Sequence, residues 1–158
     1  MKKLVVYYSL DGNTRFIAEA LAAAAEAELL ELRPKDEKAP RGLMKFFWGG
    51  RQVMTKQQPE LMPLGKDIET YDIIFIGTPV WAWSYAPALA TFFSQAPLRG
   101  KKVAFFCCHG GGKGRVFEKM KEKLPGNEII GQIDFIEPLR TGKERSAQKA
   151  GEWVRQLL

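Results

Sequence analysis

The segment Ser9–Thr14 (SLDGNT) gathers two hydroxyls, Ser9 and Thr14, and the amide of Asn13 around Gly12, with no lysine among them. An apolar run precedes it and an amphipathic helical pattern follows. A strand that turns straight into a helix aims backbone N–H groups and a helix N-terminus at one point, which makes an anion site. Neutral donors suit a phosphate better than a nucleoside triphosphate, which calls for a lysine and a metal. Asp11 would repel a phosphate, so its side chain is expected to point away or to cap the helix. A plain strand–helix turn that needs Gly12 and a cap is the alternative reading.

Two further segments stand out. Thr78–Pro87 places Trp81, Trp83 and Tyr85 in a loop after a buried strand. Aromatic faces at a strand end suit a flat heterocycle, which gains burial and stacking. Trp81, nearest the strand end, is the first candidate and Trp83 the second. The third segment, Cys108–Gly114, holds Gly110, Gly111, Gly112 and Gly114. So little side chain lets backbone approach a ligand closely, although a flexible loop would look the same. His109 can orient or protonate a ligand near neutral pH, and a simple loop hydrogen bond is its plainer role. Cys107 reads as a buried strand residue, and Cys108 falls near the ligand.

Known glycine-rich motifs do not fit here. A P-loop needs glycine where Cys107 stands and Ser or Thr where Gly114 stands, and the dinucleotide fingerprint needs glycine at Arg115. Six residues separate Cys108 from Arg115, one more than a cysteine phosphatase loop holds. The single histidine and the adjacent cysteines lack zinc-ligand spacing.

These segments must be positioned by strands and helices that alternate along the chain. Strands are expected at Leu4–Tyr8, Glu28–Leu32, Ile73–Gly77, Lys102–Cys107 and Ile129–Ile136. Helices are expected at Asn13–Ala27, Ala86–Gln95, Gly114–Leu124 and Lys143–Leu158, with a helical excursion at Gly42–Lys56. The pattern predicts a three-layer, doubly wound α/β sandwich in a single domain over 1–158. Its five-stranded parallel sheet has the order 2-1-3-4-5, with helices on both faces. Ligands of such sheets bind beyond the carboxyl ends of the strands, at the topological switch point. In that order the segments after strands one, three and four line one site.

Composition narrows the class further. No apolar run approaches a membrane span, and no separate apolar leader precedes the first strand. Two adjacent cysteines imply no disulfide framework, which fits a reducing, cytoplasmic setting. The net charge is +6, and residues Arg33 to Lys66 hold eight basic and three acidic residues. That segment is either a solvated basic loop or a docking surface for an acidic partner. No nucleic-acid-binding motif accompanies the charge.

In this order, a phosphate turn, an aromatic loop and a glycine-rich loop resemble the flavodoxin family. The segments YYSLDGNTRFIAEAL, YDIIFIGTPVWAW and KKVAFFCCHGGGKG are similar to the three FMN-contacting regions of short flavodoxin-like proteins. The resemblance implies that Ser9, Leu10, Asp11, Gly12, Asn13 and Thr14 surround the FMN phosphate. It implies that Thr78, Pro79, Val80, Trp81 and Ala82 border the ribityl chain and ring. Cys108, His109, Gly110, Gly111 and Gly112 would approach the ring from the other side. FMN would be held non-covalently and carry the chemistry, with no catalytic acid or base required and no metal. Electron-shuttling flavodoxins are usually acidic, whereas this chain is basic, so the resemblance supports FMN binding more directly than a shuttle role. Three functions follow from it: electron transfer with a protein partner, an NAD(P)H- or quinone-linked FMN oxidoreductase, or a non-redox binding or regulatory module. A phospho-signalling receiver, one such module, needs acidic residues where Tyr8-Ser9 and Gly77-Thr78 stand.

Overall fold

The structure is a computed structural model that describes residues 1–36 and 58–158. The helical excursion expected at Gly42–Lys56, with Phe46, Phe47 and Trp48, lies outside the described residues.

Six strands and five α-helices are described. The strands are β1 (Lys3–Tyr7), β2 (Glu28–Glu31), β3 (Ile73–Trp81), β4 (Ser84–Tyr85), β5 (Lys102–His109) and β6 (Glu128–Ile136). The helices are α1 (Asn13–Ala25), α2 (Pro87–Gln95), α3 (Val116–Glu122), α4 (Pro138–Thr141) and α5 (Lys143–Leu157). The main sheet has the order β2-β1-β3-β5-β6, all parallel, and β4 pairs antiparallel with β3 off this path. The expected order 2-1-3-4-5 is therefore present, with one short strand added.

Alternation along the strands divides the core in two. Leu4, Val6, Ile74, Ile76, Val103 and Phe105 face Leu89 and Phe92 of α2 and Phe117 and Met120 of α3. Val5, Phe75, Ala104 and Phe106 face Ile17 and Leu21 of α1 and Ala150 and Val154 of α5. A sheet apolar on both faces must be covered twice, and the two helix pairs do this.

Two strands run further than their sequence pattern indicates. β3 continues four residues past Gly77 because Thr78 and Pro79 still pair with Cys107 and Cys108 of β5. On its other side β1 ends at the Tyr7–Gly77 pair, so the missing N–H of Pro79 breaks no ladder with β1. The chain then reverses through Ala82 and Trp83, both at positive φ (47° and 59°), and returns as β4. Thr78–Pro87 is thus largely a hairpin rather than the loop expected from its sequence. Two consecutive left-handed residues match the right-handed twist of a two-residue hairpin, a conformation that usually selects Asn or Gly. β5 likewise extends through His109, which places Cys108 and His109 on a strand.

Candidate functional site

The carboxyl ends of β1, β3, β5 and β6 surround a cavity of about 790 Å³, within the usual range of small-molecule sites. Its wall is formed by Leu10, Asp11 and Asn13 after β1, and by Pro79, Val80, Trp81, Ala82 and Trp83 at the hairpin. Cys108, His109, Gly110, Gly111 and Gly112 at β5 and Glu137 after β6 complete it. Three segments far apart in sequence are therefore brought together. Ser9, Gly12, Thr14 and Thr78 do not line this cavity.

Each of those four has a local role. Ser9 Oγ accepts hydrogen bonds from the N–H groups of Gly12 (3.2 Å) and Arg15 (3.1 Å). With both acceptor positions used, its own proton remains available for donation. Gly12 precedes α1 at φ 99°, a conformation that favours glycine. Thr14 Oγ1, in the first turn of α1, is fully buried without a hydrogen-bond partner. The neighbouring Cys108 thiol is a weak one at best. Thr78 Oγ1 accepts from the N–H of Ala86 at 2.9 Å and donates to the carbonyl of Pro79 at 2.8 Å. Those bonds tie the base of the hairpin to the start of α2.

In the Ser9–Thr14 turn, Asp11 Oδ1 accepts from the N–H of Asn13 at 3.2 Å, a local side-chain turn just ahead of α1. Asn13 Oδ1 accepts from the N–H of Leu139 at 3.0 Å, so its amide nitrogen is the group left to donate. The turn is thereby fastened to α4.

The aromatic wall is asymmetric. Trp81 meets Tyr8 edge to face at 5.4 Å. Trp83 is 72% exposed, and a Cβ on Gly114 would come within 2.9 Å of its Cβ. The hairpin tip and the glycine loop are therefore packed against each other, which a side chain at position 114 would prevent.

Cys107 and Cys108 are buried, unbridged thiols. Burial pushes both up, Cys108 to about 12, so neither is a thiolate at neutral pH. His109 is bonded on both sides, by Gly112 and by Asp134. Burial opposes ionisation of Asp134, but the His109 hydrogen bond and the Lys113 charge outweigh it and hold the carboxyl below its ordinary range. Among the described residues no cluster of three or more metal-ligating side chains occurs.

A model of the flavodoxin family matches residues 2–154. The chain belongs to the flavodoxin family. A curated relative, the NAD(P)H dehydrogenase (quinone) of Gluconacetobacter diazotrophicus, is 26% identical over 147 residues, or 85% of this chain and 71% of the relative. A flavoprotein of Lactobacillus acidophilus, solved in complex with FMN, superposes with a TM-score of 0.73 at 26% identity, covering 84% of this chain and 92% of that one. A flavoprotein of Bacteroides uniformis gives a TM-score of 0.81 at 22% identity over 98% and 97% of the two chains, a likeness of fold.

For a flavodoxin, Glu137 is the residue that sequence reasoning missed. It follows β6 at φ 36°, donates its N–H to the carbonyl of His109 at 3.0 Å, and holds its carboxylate on Arg140. The carboxyl-end rule, extended from the third and fourth expected strands to the fifth, would have pointed to it. The donor set fits a planar ring system carrying a phosphate. It offers an amide on Asn13 and an apolar wall of Leu10, Pro79, Val80 and Trp81, with a spare hydroxyl proton on Ser9 and the weakly partnered hydroxyl of Thr14 just beside the cavity.

Proposed function

We propose that this flavodoxin binds FMN non-covalently and acts as a redox protein that exchanges electrons with a protein partner. The observation that carries this is the cavity itself, with neutral hydrogen-bond donors at the head of α1 beside it and tryptophans and glycine backbone along its wall. FMN, when bound, supplies the electron-transfer chemistry. Ser9, Asn13 and Thr14 would hold the phosphate by hydrogen bonds, with Leu10, Asp11 and Gly12 shaping the turn. Thr78, Pro79, Val80, Trp81, Ala82 and Trp83 would flank the ring and its chain on one side. Cys108, His109, Gly110, Gly111 and Gly112 would flank them on the other.

The chain's residues bind, orient and exclude water, and none is required as a catalytic acid or base. Net charge favours an acidic protein partner, and two unbridged thiols favour a reducing, cytoplasmic setting. No described helix is long and apolar enough to cross a membrane.

A second reading, an NAD(P)H- or quinone-linked FMN oxidoreductase, draws support from the dehydrogenase relative. One experiment addresses both. The purified protein is expected to show flavin absorbance, or to acquire it with added FMN. Absence of both would sink FMN binding. Anaerobic addition of NAD(P)H should leave the flavin colour intact in a carrier, whereas rapid bleaching without a second protein would establish the reductase.

A further inference from the structure

His109 is the only histidine in the chain, and its side chain is 7% exposed at the end of β5. Nδ1 accepts a hydrogen bond from the N–H of Gly112 at 2.9 Å, and Nε2 lies 2.7 Å from Asp134 Oδ2. A backbone N–H can only donate. Nδ1 therefore carries a lone pair, and the ring proton sits on Nε2 and is donated to Asp134. Asp134 is held in place in turn: Lys113 Nζ stands 3.5 Å from Oδ1, and Lys149 Nζ donates to the Asp134 carbonyl at 2.7 Å.

The far side of the loop that follows is held by Lys113 on Asp134 and by Gly114 against Trp83. No heavy atom beyond the adjoining residues lies within 4 Å of where a Cβ on Gly111 or Gly112 would be. Gly112 adopts φ 147°, a conformation open to glycine that turns its N–H back toward the strand. Gly110, Gly111 and Gly112 all line the cavity.

We propose that His109 is the positioning residue of the glycine loop, a latch that holds Gly112 while the ring is neutral and lets it go when Nδ1 takes a proton. Protonated Nδ1 would face the Gly112 N–H donor to donor, with no lone pair between them. Asp134 accepts from Nε2 in either state, so the change falls on the Gly112 side. The charged and titratable groups around the ring are Asp134 from β6, Lys149 from α5 and Lys113 from the loop. Glu137, paired with Arg140, stands at the turn into α4, Asp11 at the turn after β1, and the Cys107 and Cys108 thiols on β5. The consequence for cofactor retention rests on the FMN reading above.

The test follows the ligand-free, ¹⁵N-labelled protein by NMR as the pH is lowered until the single histidine ring changes charge. With one histidine, the ring signals need no disentangling. The expected result is an Nε2–H ring at high pH, with the Gly112 amide shifting, and losing protection relative to its intrinsic exchange rate, at the same midpoint as the ring. A Gly112 amide that stays unmoved while the ring titrates, or an Nδ1–H ring, overturns the latch. His109→Asn keeps an oxygen able to accept from Gly112 but does not titrate, so its Gly112 amide should be indifferent to pH over this range.

A second arm measures FMN dissociation constants for both proteins. Acidification should weaken binding to the wild type by roughly three- to tenfold more than to H109N, the equivalent of one hydrogen bond. The second proton of the flavin phosphate, near pH 6, is common to both and cancels in the comparison. Parallel pH profiles would overturn the latch's part in retention. If neither protein binds FMN at any pH, the FMN reading fails, and the NMR result still decides the latch.

Discussion

Thr14 bears a buried hydroxyl with no partner beyond the weak Cys108 thiol. An unmade hydrogen bond in the interior costs stability, so Thr14→Val, which keeps the shape, should leave the ligand-free protein as stable or raise it by about 1 kcal/mol in urea unfolding. Its affinity for FMN should fall roughly tenfold or more, the scale of a hydrogen bond to a charged group. Riboflavin, which lacks the phosphate, should bind the variant and the wild type alike. Equal losses for both ligands would remove Thr14 from the phosphate site. At this scale the chain was legible by residue type. Hydroxyl, amide and glycine at Ser9–Thr14 carried the expectation of an anion site. The division of labour was not legible. Ser9 and Asp11 hold the turn, and Asn13 spends its oxygen on Leu139, 126 positions away. No local pattern encodes a bond of that reach.

Within the sheet, Gly77 is required by its neighbour strand. A Cβ there would lie 2.0 Å from Cζ of Phe106, a fully buried ring. Gly77→Ala should cost about 1–3 kcal/mol by overpacking. A variant whose unfolding midpoint matches the wild type would refute that. The edge strand β2 is tied to α1 by Glu31, which receives hydrogen bonds from Arg15 and Arg33. Burial opposes ionisation of Glu31, but the two guanidinium groups prevail and hold its carboxyl below the ordinary range. Because the folded-state value is depressed, this stabilisation is complete above the unfolded-state value of about 4.3 and disappears as pH falls through the folded-state one. Thermal melts of Glu31→Gln should therefore lie below wild type at pH 7 and converge with it in acid. The gap should stay under about 1 kcal/mol, since both arginines face solvent. A gap independent of pH would show that the carboxylate charge plays no part. The main strands and helices were readable from period and punctuation. The β3–β4 hairpin was not, because Ala82 and Trp83 adopt positive φ without the Asn or Gly that normally signals such a turn.

For the molecule as a whole, net charge of +6 sets the long-range field. If an acidic protein is the redox partner, the bimolecular rate of electron exchange should fall steeply as ionic strength rises toward the range where the Debye length is about 8 Å. A rate that is flat or rising with salt would exclude electrostatic docking. The sequence by itself determined the alternation of strands and helices, the parallel sheet and the three segments that meet at its carboxyl edge. Hydrophobic period, glycine placement and donor types are local properties, and crossover handedness leaves few ways to assemble them. Only the tertiary structure decided that Glu137 joins the cavity wall and that Ser9 and Thr78 work as local ties beside it. It alone paired His109 with Asp134 and Gly112. Those outcomes depend on strand register and on which side chains meet across β5 and β6, and register is a property of the assembled sheet, invisible in either strand alone.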